Sequence, residues 1–121
     1  MRKPTRFYSN KQEKKVAKAV KGFQVVNSGA TKFSKGDVVT KNWLIECKTT
    51  TATEKASFSI KREWLEKNRE EAFAMNKDYN ALAFDYGDGK NWYIIDEKTF
   101  LRMQGLFEKE DNEDVGWQKP W

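Results

Sequence analysis

Apolar positions near the start of the chain follow first a helical spacing and then a strand spacing. From Asn10 the segment NKQEKKVAKAVKG predicts a helix, with Asn10 as a favourable N-cap and Gly22 as its C-terminal stop. The inward stripe of this helix consists of Val16, Ala17 and Val20. Residues 23–26 then predict a first strand, which is followed by the basic, glycine-containing loop NSGATKFSKG.

The remaining pattern predicts four more strands and two more helices. Residues 37–40 and 43–50 predict two strands that are joined by the short turn Lys41-Asn42. In order, there follow a threonine-rich loop at 51–57, a long helix at 59–76, strands at 81–86 and 92–96 around Gly87-Asp88-Gly89, and a short helix at 99–107. The order αβββαββα is typical of an α/β (α+β) fold in which helices flank a mixed central sheet.

The length of 121 residues predicts a single domain with one core. We expect this domain to span residues 1–107, with residues 1–9 as a basic N-terminal arm. Residues 108–121 carry clustered acids and two tryptophans, and we expect them to form a partly mobile C-terminal tail.

Two absences in the composition exclude several kinds of chemistry. The chain has no His, so a His general base, a His metal ligand and a Ser-His-Asp triad are excluded. The single cysteine, Cys47, excludes an internal disulfide and a cysteine-rich zinc finger. Because no apolar run approaches the roughly 20 residues of a membrane span, we expect a soluble protein of the cytoplasm with no membrane partner.

The positive charge is concentrated in the first half of the chain. Residues 1–53 contain 12 Lys or Arg and three acids, a net charge of +9, whereas residues 54–121 have a net charge of −4. A basic half of this kind favours a polyanionic partner, most simply nucleic acid. The alternative is a solvated basic surface that only aids solubility.

Candidate chemistry lies in the hairpin around Lys41-Asn42. If these two residues form the whole loop, Asp37 lies opposite Glu46 on one face of the sheet. Lys48 lies two residues beyond Glu46 and therefore points to the same face. Two adjacent carboxylates repel each other, and a divalent cation between them relieves the repulsion. All-oxygen ligation favours Mg²⁺, with Mn²⁺ as a substitute.

Each of these acids has a simpler interpretation. Lys-Asn is not a preferred tight-turn sequence, so a wider loop would shift the register and leave Asp37 beside a turn and Glu46 with Lys48 on an exposed strand edge. Glu13, one turn before the apolar stripe, is positioned to reach the sheet as a site residue. The spacing Asn10-x-x-Glu13 also fits a capping box.

These residues resemble the signature of the PD-(D/E)xK nuclease superfamily. Asp37 followed by Glu46-Cys47-Lys48 is similar to its Asp…(Asp/Glu)-x-Lys motif, with Gly36 in place of the usual proline. Glu13 is similar to the additional acid of the Holliday junction resolvase branch. The segment SFSIKREWLEKNREEAFAMNKDYNALAFDYGDGKNWYIID resembles small resolvase-type nucleases of phages and prophages, and the resemblance covers roughly residues 8–97.

The resemblance implies a restriction-endonuclease-like αβββαβ core and a metal-dependent endodeoxyribonuclease. Such an enzyme hydrolyses phosphodiesters in branched DNA by paired cuts from a homodimer, in the bacterial cytoplasm and with a phage or prophage as a possible source. Asp37, Glu46, the backbone carbonyl of Cys47 and Glu13 are then the expected metal ligands. Lys48 is expected to orient the attacking water.

Further residues are expected to contact DNA through phosphates or sugars. They are Arg2, Lys3, Arg6, Lys32, Lys35, Thr49, Thr50 and, from the resemblance, Lys61. Ordinary solvated lysines and threonines of high strand propensity are the alternative interpretation of these positions.

Two other functions remain open from the sequence. The first is the same chemistry on another substrate, such as restriction-like duplex cutting or flap repair. The second is a DNA-binding module without catalysis, in which the acids have only a structural role.

Overall fold

A computed structural model describes residues 5–25, 37–50, 54–115 and 120 of the chain. The elements are α1 (Thr5–Val20), β1 (Phe23–Gln24), β2 (Asp37–Val39), β3 (Trp43–Lys48), α2 (Arg62–Ala74), β4 (Tyr79–Phe84), β5 (Trp92–Ile94) and α3 (Glu97–Val115). The predicted order of helices and strands is therefore confirmed. In the described part of the chain the fold is α+β, with three helices and one mixed five-stranded sheet.

The strands lie in the sheet in their chain order, β1 to β5. All neighbours are antiparallel except β3 and β4, which are parallel. Parallel neighbours need a long crossover connection, and α2 supplies it between these two strands. This crossover covers one face of the sheet with α2 and leaves the other face to α1.

The face toward α1 is apolar. Because side chains alternate along a strand, Val38 and Ile45 point to this face together with Ala81 and Ala83 of β4. These residues form a buried cluster with Val16 of α1, and Ala17 and Val20 pack against it. The predicted stripe of α1 is thus the side of the helix that contacts the sheet.

The face toward α2 mixes apolar and charged side chains. Leu44 and Leu82 are fully buried there, and the side-chain amide of Asn80 donates to Asn68 Oδ1 of α2 at 2.8 Å. Asp37 and Glu46 lie on this same face. The candidate site is consequently positioned by β2, β3 and α2.

Most element boundaries differ from the sequence prediction by a few residues, and the start of α1 and the end of α3 differ the most. Helix α1 begins at Thr5, so the prediction of a separate arm over residues 1–9 is wrong for residues 5–9; residues 1–4 lie outside the described ranges. Helix α3 continues to Val115, so the predicted tail is helical over its first part. Asp96 Oδ1 accepts a hydrogen bond from the Thr99 backbone N–H at 2.8 Å and caps the start of α3.

Gly22 is required by a close backbone approach rather than as the helix stop itself. The residue in the left-handed region after α1 is Lys21, with φ of 57°. A Cβ on Gly22 would lie 2.4 Å from the carbonyl oxygen of Val39. The glycine therefore lets the chain turn directly from α1 into the sheet.

Within the described residues, no helix has the length and apolar character needed to cross a membrane.

Candidate metal centre

The hairpin between β2 and β3 has the predicted register. Asp37 pairs with Glu46, Val38 with Ile45 and Val39 with Leu44. The Thr40 N–H donates to the Trp43 carbonyl at 3.0 Å, and the Trp43 N–H donates to Thr40 Oγ1 at 3.0 Å. The Thr40 hydroxyl thus helps to close a two-residue loop that lacks the usual Asn-Gly.

Asp37 and Glu46 are both withdrawn from solvent. Asp37 is 1% exposed and Glu46 is 5% exposed. Among the residues that the structure describes, neither carboxylate oxygen of Asp37 has a hydrogen-bond partner, and Glu46 Oε2 also has none. Buried carboxylates are normally hydrogen-bonded or bound to a cation. The pair is therefore poorly stabilised by the protein alone.

Burial, together with the negative charges of Glu71 and Glu46, raises the pKa of Asp37 to about 8. The pKa of Glu46 is also raised by burial, although the neighbouring Lys48 opposes this shift. A positive ion placed between the two carboxylates would favour their charged forms. The electrostatics of the pair therefore favour the binding of a cation.

Lys48 lies beside the carboxylate pair, as the strand alternation predicts. Its Nζ is 3.4 Å from Glu46 Oε1. The same Nζ lies 4.6 Å from the ring centroid of Trp64 on α2. The aromatic face and the carboxylate together hold the ammonium group at the edge of the site.

Glu13 is buried on the other side of the sheet. It is 5% exposed and lies on the stripe of α1 that packs against the apolar face. Its Oε2 accepts a hydrogen bond from Gln24 Nε2 at 3.2 Å. The capping-box interpretation is wrong, because α1 begins at Thr5 and Asn10 is therefore inside the helix.

The side chain of Cys47 packs against the apolar cluster on the α1 face. Burial raises the pKa of its thiol far above the usual range, and the charges of Glu13, Asp37 and Glu46 add to the effect. The thiol therefore stays protonated, and we do not assign it as a metal ligand. Its backbone carbonyl remains the candidate donor, next in the chain to Glu46.

The predicted DNA contacts are only partly within the described residues. Arg2, Lys3, Lys32 and Lys35 lie outside those residues, and Arg6 is described as part of α1 without its side chain. Thr49 and Thr50 follow β3 directly, and the Thr49 hydroxyl donates to Asp85 Oδ1 at 2.6 Å. Lys61 is exposed at the start of α2, with its Nζ 5.8 Å from the Trp64 ring centroid.

The sequence interpretation missed two charged residues on α2. Glu71 is 9% exposed, and its Oε2 lacks a hydrogen-bond partner. Its Oε1 is 3.7 Å from Lys67 Nζ. The signal was present, since Trp64, Asn68 and Glu71 follow a helical spacing that puts all three toward the sheet.

Gln12 supports the site from α1. Its side-chain amide donates to the Lys48 carbonyl at 2.8 Å and lies 3.3 Å from the Ala83 carbonyl. It thus connects the ends of β3 and β4 where the two parallel strands separate. The sequence interpretation assigned Gln12 no role, because Gln12 belongs to no motif that the sequence shows.

The donor set fits a hard divalent cation. Two buried carboxylates with unpartnered oxygens and an adjacent backbone carbonyl are the oxygen donors that Mg²⁺ accepts, usually with several waters retained. In the part of the chain that the structure describes, no group of three or more acidic or thiol side chains is arranged to hold a metal ion by itself. Carbonyl oxygens and water would therefore have to complete the ligand shell around Asp37 and Glu46.

Comparison with known proteins does not add a relative. No protein-family model, no curated protein and no solved structure matches this chain.

Proposed function

We propose that this protein is a metal-dependent endodeoxyribonuclease that cuts branched DNA, with the four-way junction as its substrate. The observation that carries the proposal is the pairing of Asp37 with Glu46 across β2 and β3, with both carboxylates buried and Lys48 alongside. The motif that these residues form resembles that of the PD-(D/E)xK nucleases, and the buried, unpartnered oxygens of Asp37 support a site of function rather than of folding.

Each residue has a separate role in the proposed hydrolysis. Asp37, Glu46 and the Cys47 carbonyl bind a divalent cation. When bound, the cation supplies Lewis-acid activation of water and charge relief at the phosphate. Lys48 orients the attacking water and offsets the negative charge that develops on the phosphoryl oxygens. The bond from phosphorus to the 3′ oxygen then breaks, and that oxygen leaves with a proton. Glu13 binds the side chain of Gln24 in β1 on the α1 side of the sheet.

The charge distribution supports DNA as the substrate. Residues 1–53 contain both the site and a net charge of +9. The exposed lysines of α1, including Lys11, Lys14 and Lys18, contribute to this positive charge. Such a surface binds phosphates without reading sequence. We place this activity in the bacterial cytoplasm, where the DNA is located.

Paired cuts across a junction need two sites, and we therefore propose a homodimer. Helix α3 offers a contact surface, because Phe100, Leu101, Leu106 and Phe107 are each more than half exposed. Exposed apolar side chains gathered on one helix are typical of association surfaces. Leu106→Glu should convert the dimer to a monomer in sedimentation experiments, whereas Lys109→Glu on the same helix should leave it dimeric. A wild-type protein that is monomeric at micromolar concentration would contradict the dimer.

Cleavage of a labelled four-way junction and of a linear duplex of the same arm sequence tests the function. With Mg²⁺ we expect cuts at symmetric positions in the junction and little cutting of the duplex, and with chelator we expect none. Equal cutting of both substrates would contradict junction selectivity. Tight binding without cutting in Mg²⁺ or Mn²⁺ would contradict catalysis and favour a DNA-binding module.

A further inference from the structure

Helix α2 presents a third buried carboxylate to the Asp37–Glu46 pair. Glu71 lies one turn beyond Asn68, whose amide group contacts β4 on the face that carries the pair. Glu71 is 9% exposed, on the helix that packs against β3 and β4. Glu71 therefore lies buried on the α2 side of the sheet, the side that also carries Asp37 and Glu46, and its negative charge contributes to the raised pKa of Asp37.

The burial of Glu71 is not explained by folding. A glutamate on a helix face normally extends into water, and nearby Glu63, Glu66 and Glu70 are exposed in this way. Glu71 instead keeps one carboxylate oxygen buried without a hydrogen-bond partner. The carboxylate of Asp37, which is 1% exposed, is unpartnered on the same side of the sheet. Among the described residues, Asp37, Glu46 and Glu71 each keep an unpartnered carboxylate oxygen on this side of the sheet, and their charged forms repel one another unless a cation is present.

Among the described residues, Lys67 is the ion partner of Glu71, and the pair is a weak one. Its Nζ is 3.7 Å from Glu71 Oε1, and the lysine side chain is more than half exposed. Its positive charge also favours the ionised forms of Asp37 and Glu46. An exposed ammonium group at this distance contributes little to stability. Lys67 is thus a counter-charge to Glu71 that a cation bound beside Asp37 and Glu46 can replace.

We propose that Glu71 is a third acid of the cation site, holding water molecules of a hydrated divalent cation bound by Asp37 and Glu46, and that Lys67 competes with that cation for Glu71. The inference rests on the proposed function, because it requires the cation site of that proposal. Outer-shell contact agrees with the described arrangement, in which the acids do not converge as direct ligands. It also agrees with the preference of Mg²⁺ for retained water.

Calorimetric titration of Mn²⁺ into the full-length protein tests this role without any cleavage. Residues that hold a metal site through its outer shell typically change affinity by about 10- to 100-fold when removed. We therefore expect Glu71→Gln to weaken Mn²⁺ binding at least about tenfold. Glu70→Gln, on the exposed side of the same helix, should bind Mn²⁺ as the wild type does. Lys67→Gln should tighten binding by about two- to fivefold, because a competing positive charge is removed.

The outcomes separate this inference from the proposed function. A wild type that binds no Mn²⁺ would overturn both. A wild type that binds Mn²⁺, with the same affinity in Glu71→Gln, would overturn the inference alone. Weaker binding in Lys67→Gln would overturn the competing role of the lysine. A loss of folding would also weaken Mn²⁺ binding. Weaker binding by Glu71→Gln therefore supports the inference only if the melting temperature of the metal-free variant equals or exceeds that of the wild type.

Discussion

The two faces of the central sheet belong to the same strands and differ in role: one forms the apolar core and the other carries the candidate site. Toward α1, Val38 and Ile45 lie in a continuous apolar cluster with Val16. Toward α2, the alternate residues Asp37 and Glu46 are equally buried but ionisable, and among the described residues both Asp37 oxygens and Glu46 Oε2 lack a hydrogen-bond partner. Apolar burial of the first kind stabilises the fold, whereas burial of an unpartnered carboxylate opposes it.

This difference shows how a small domain supports a strained site. The free energy lost by burying carboxylates on the α2 face is offset by apolar packing on the α1 face of the same strands. Replacing a residue on the apolar face should therefore change stability and leave chemistry intact. Replacing a carboxylate should have the opposite result, with lost chemistry and a more stable metal-free protein.

The largest expected effect is the loss of cleavage in Asp37→Asn. An amide is a weaker cation ligand and cannot balance the charge of the ion, so we expect the cleavage rate of a four-way junction to fall by about a thousandfold. DNA binding measured by gel shift should be retained. Asp78→Asn, at an exposed acid away from the site, should cleave normally. Wild-type cleavage by Asp37→Asn would remove this carboxylate from the proposed chemistry.

Ile45→Ala probes the apolar face beside Glu46. Removal of a buried isoleucine side chain from a packed cluster should lower the free energy of unfolding by about 3 kcal/mol. Urea denaturation would measure this loss. At a temperature where the variant is folded, its single-turnover cleavage rate should stay within about threefold of the wild type. A much slower rate in the folded variant would mean that the two faces are not independent.

Gly22→Ala tests the backbone contact by which α1 joins the apolar face. The new Cβ would meet the Val39 carbonyl oxygen at 2.4 Å, and we expect a loss of about 2 kcal/mol in urea denaturation. Gly105 has no atom within 4 Å of the corresponding position. Gly105→Ala within α3 should instead gain up to about 1 kcal/mol. Equal effects of the two substitutions would contradict the described close approach.

A smaller, pH-dependent effect is expected from the carboxylate face without metal. The pKa of Asp37 is about 8 in the folded protein, against an ordinary value of 3.8. The folded state thus holds this proton more tightly, so the stability that the proton contributes is full below pH 4 and is lost as the pH rises to about 8.

Asp37→Asn removes this titration. In chelator, the melting temperature of Asp37→Asn should exceed that of the wild type by a few degrees at pH 8, and the difference should shrink toward pH 5. Glu70→Gln, at an exposed acid, should keep the wild-type pH dependence. A difference that grows toward low pH would contradict the raised pKa.

The sequence was sufficient to predict the pairing in the hairpin, because loop length and strand alternation determine which residues lie opposite each other. Once two residues form the turn, the pairing of Asp37 with Glu46 follows, and the side of Lys48 follows from strand alternation. The order of the elements followed in the same way from apolar periodicity. The closing contact through the Thr40 hydroxyl was not foreseen, because the turn lacks the usual residues.

The sequence was insufficient where packing between elements decides. Glu71 is one of several acids on α2, and only the docking of that helix on the sheet separates it from Glu70. Glu13 lies on the predicted stripe, yet that stripe packs on the face opposite Asp37. The start of α1 and the end of α3 were misplaced because polar, charged segments give little periodic signal at helix ends.

Thermal denaturation of the wild type and of Asp37→Asn at pH 7, each with Mg²⁺ and with chelator, tests the cation site most directly. A ligand that binds only the folded state raises its melting temperature. We predict that Mg²⁺ raises the melting temperature of the wild type and leaves that of Asp37→Asn unchanged. An equal rise in both proteins, or no rise in the wild type at millimolar Mg²⁺, would contradict a divalent cation held by this pair.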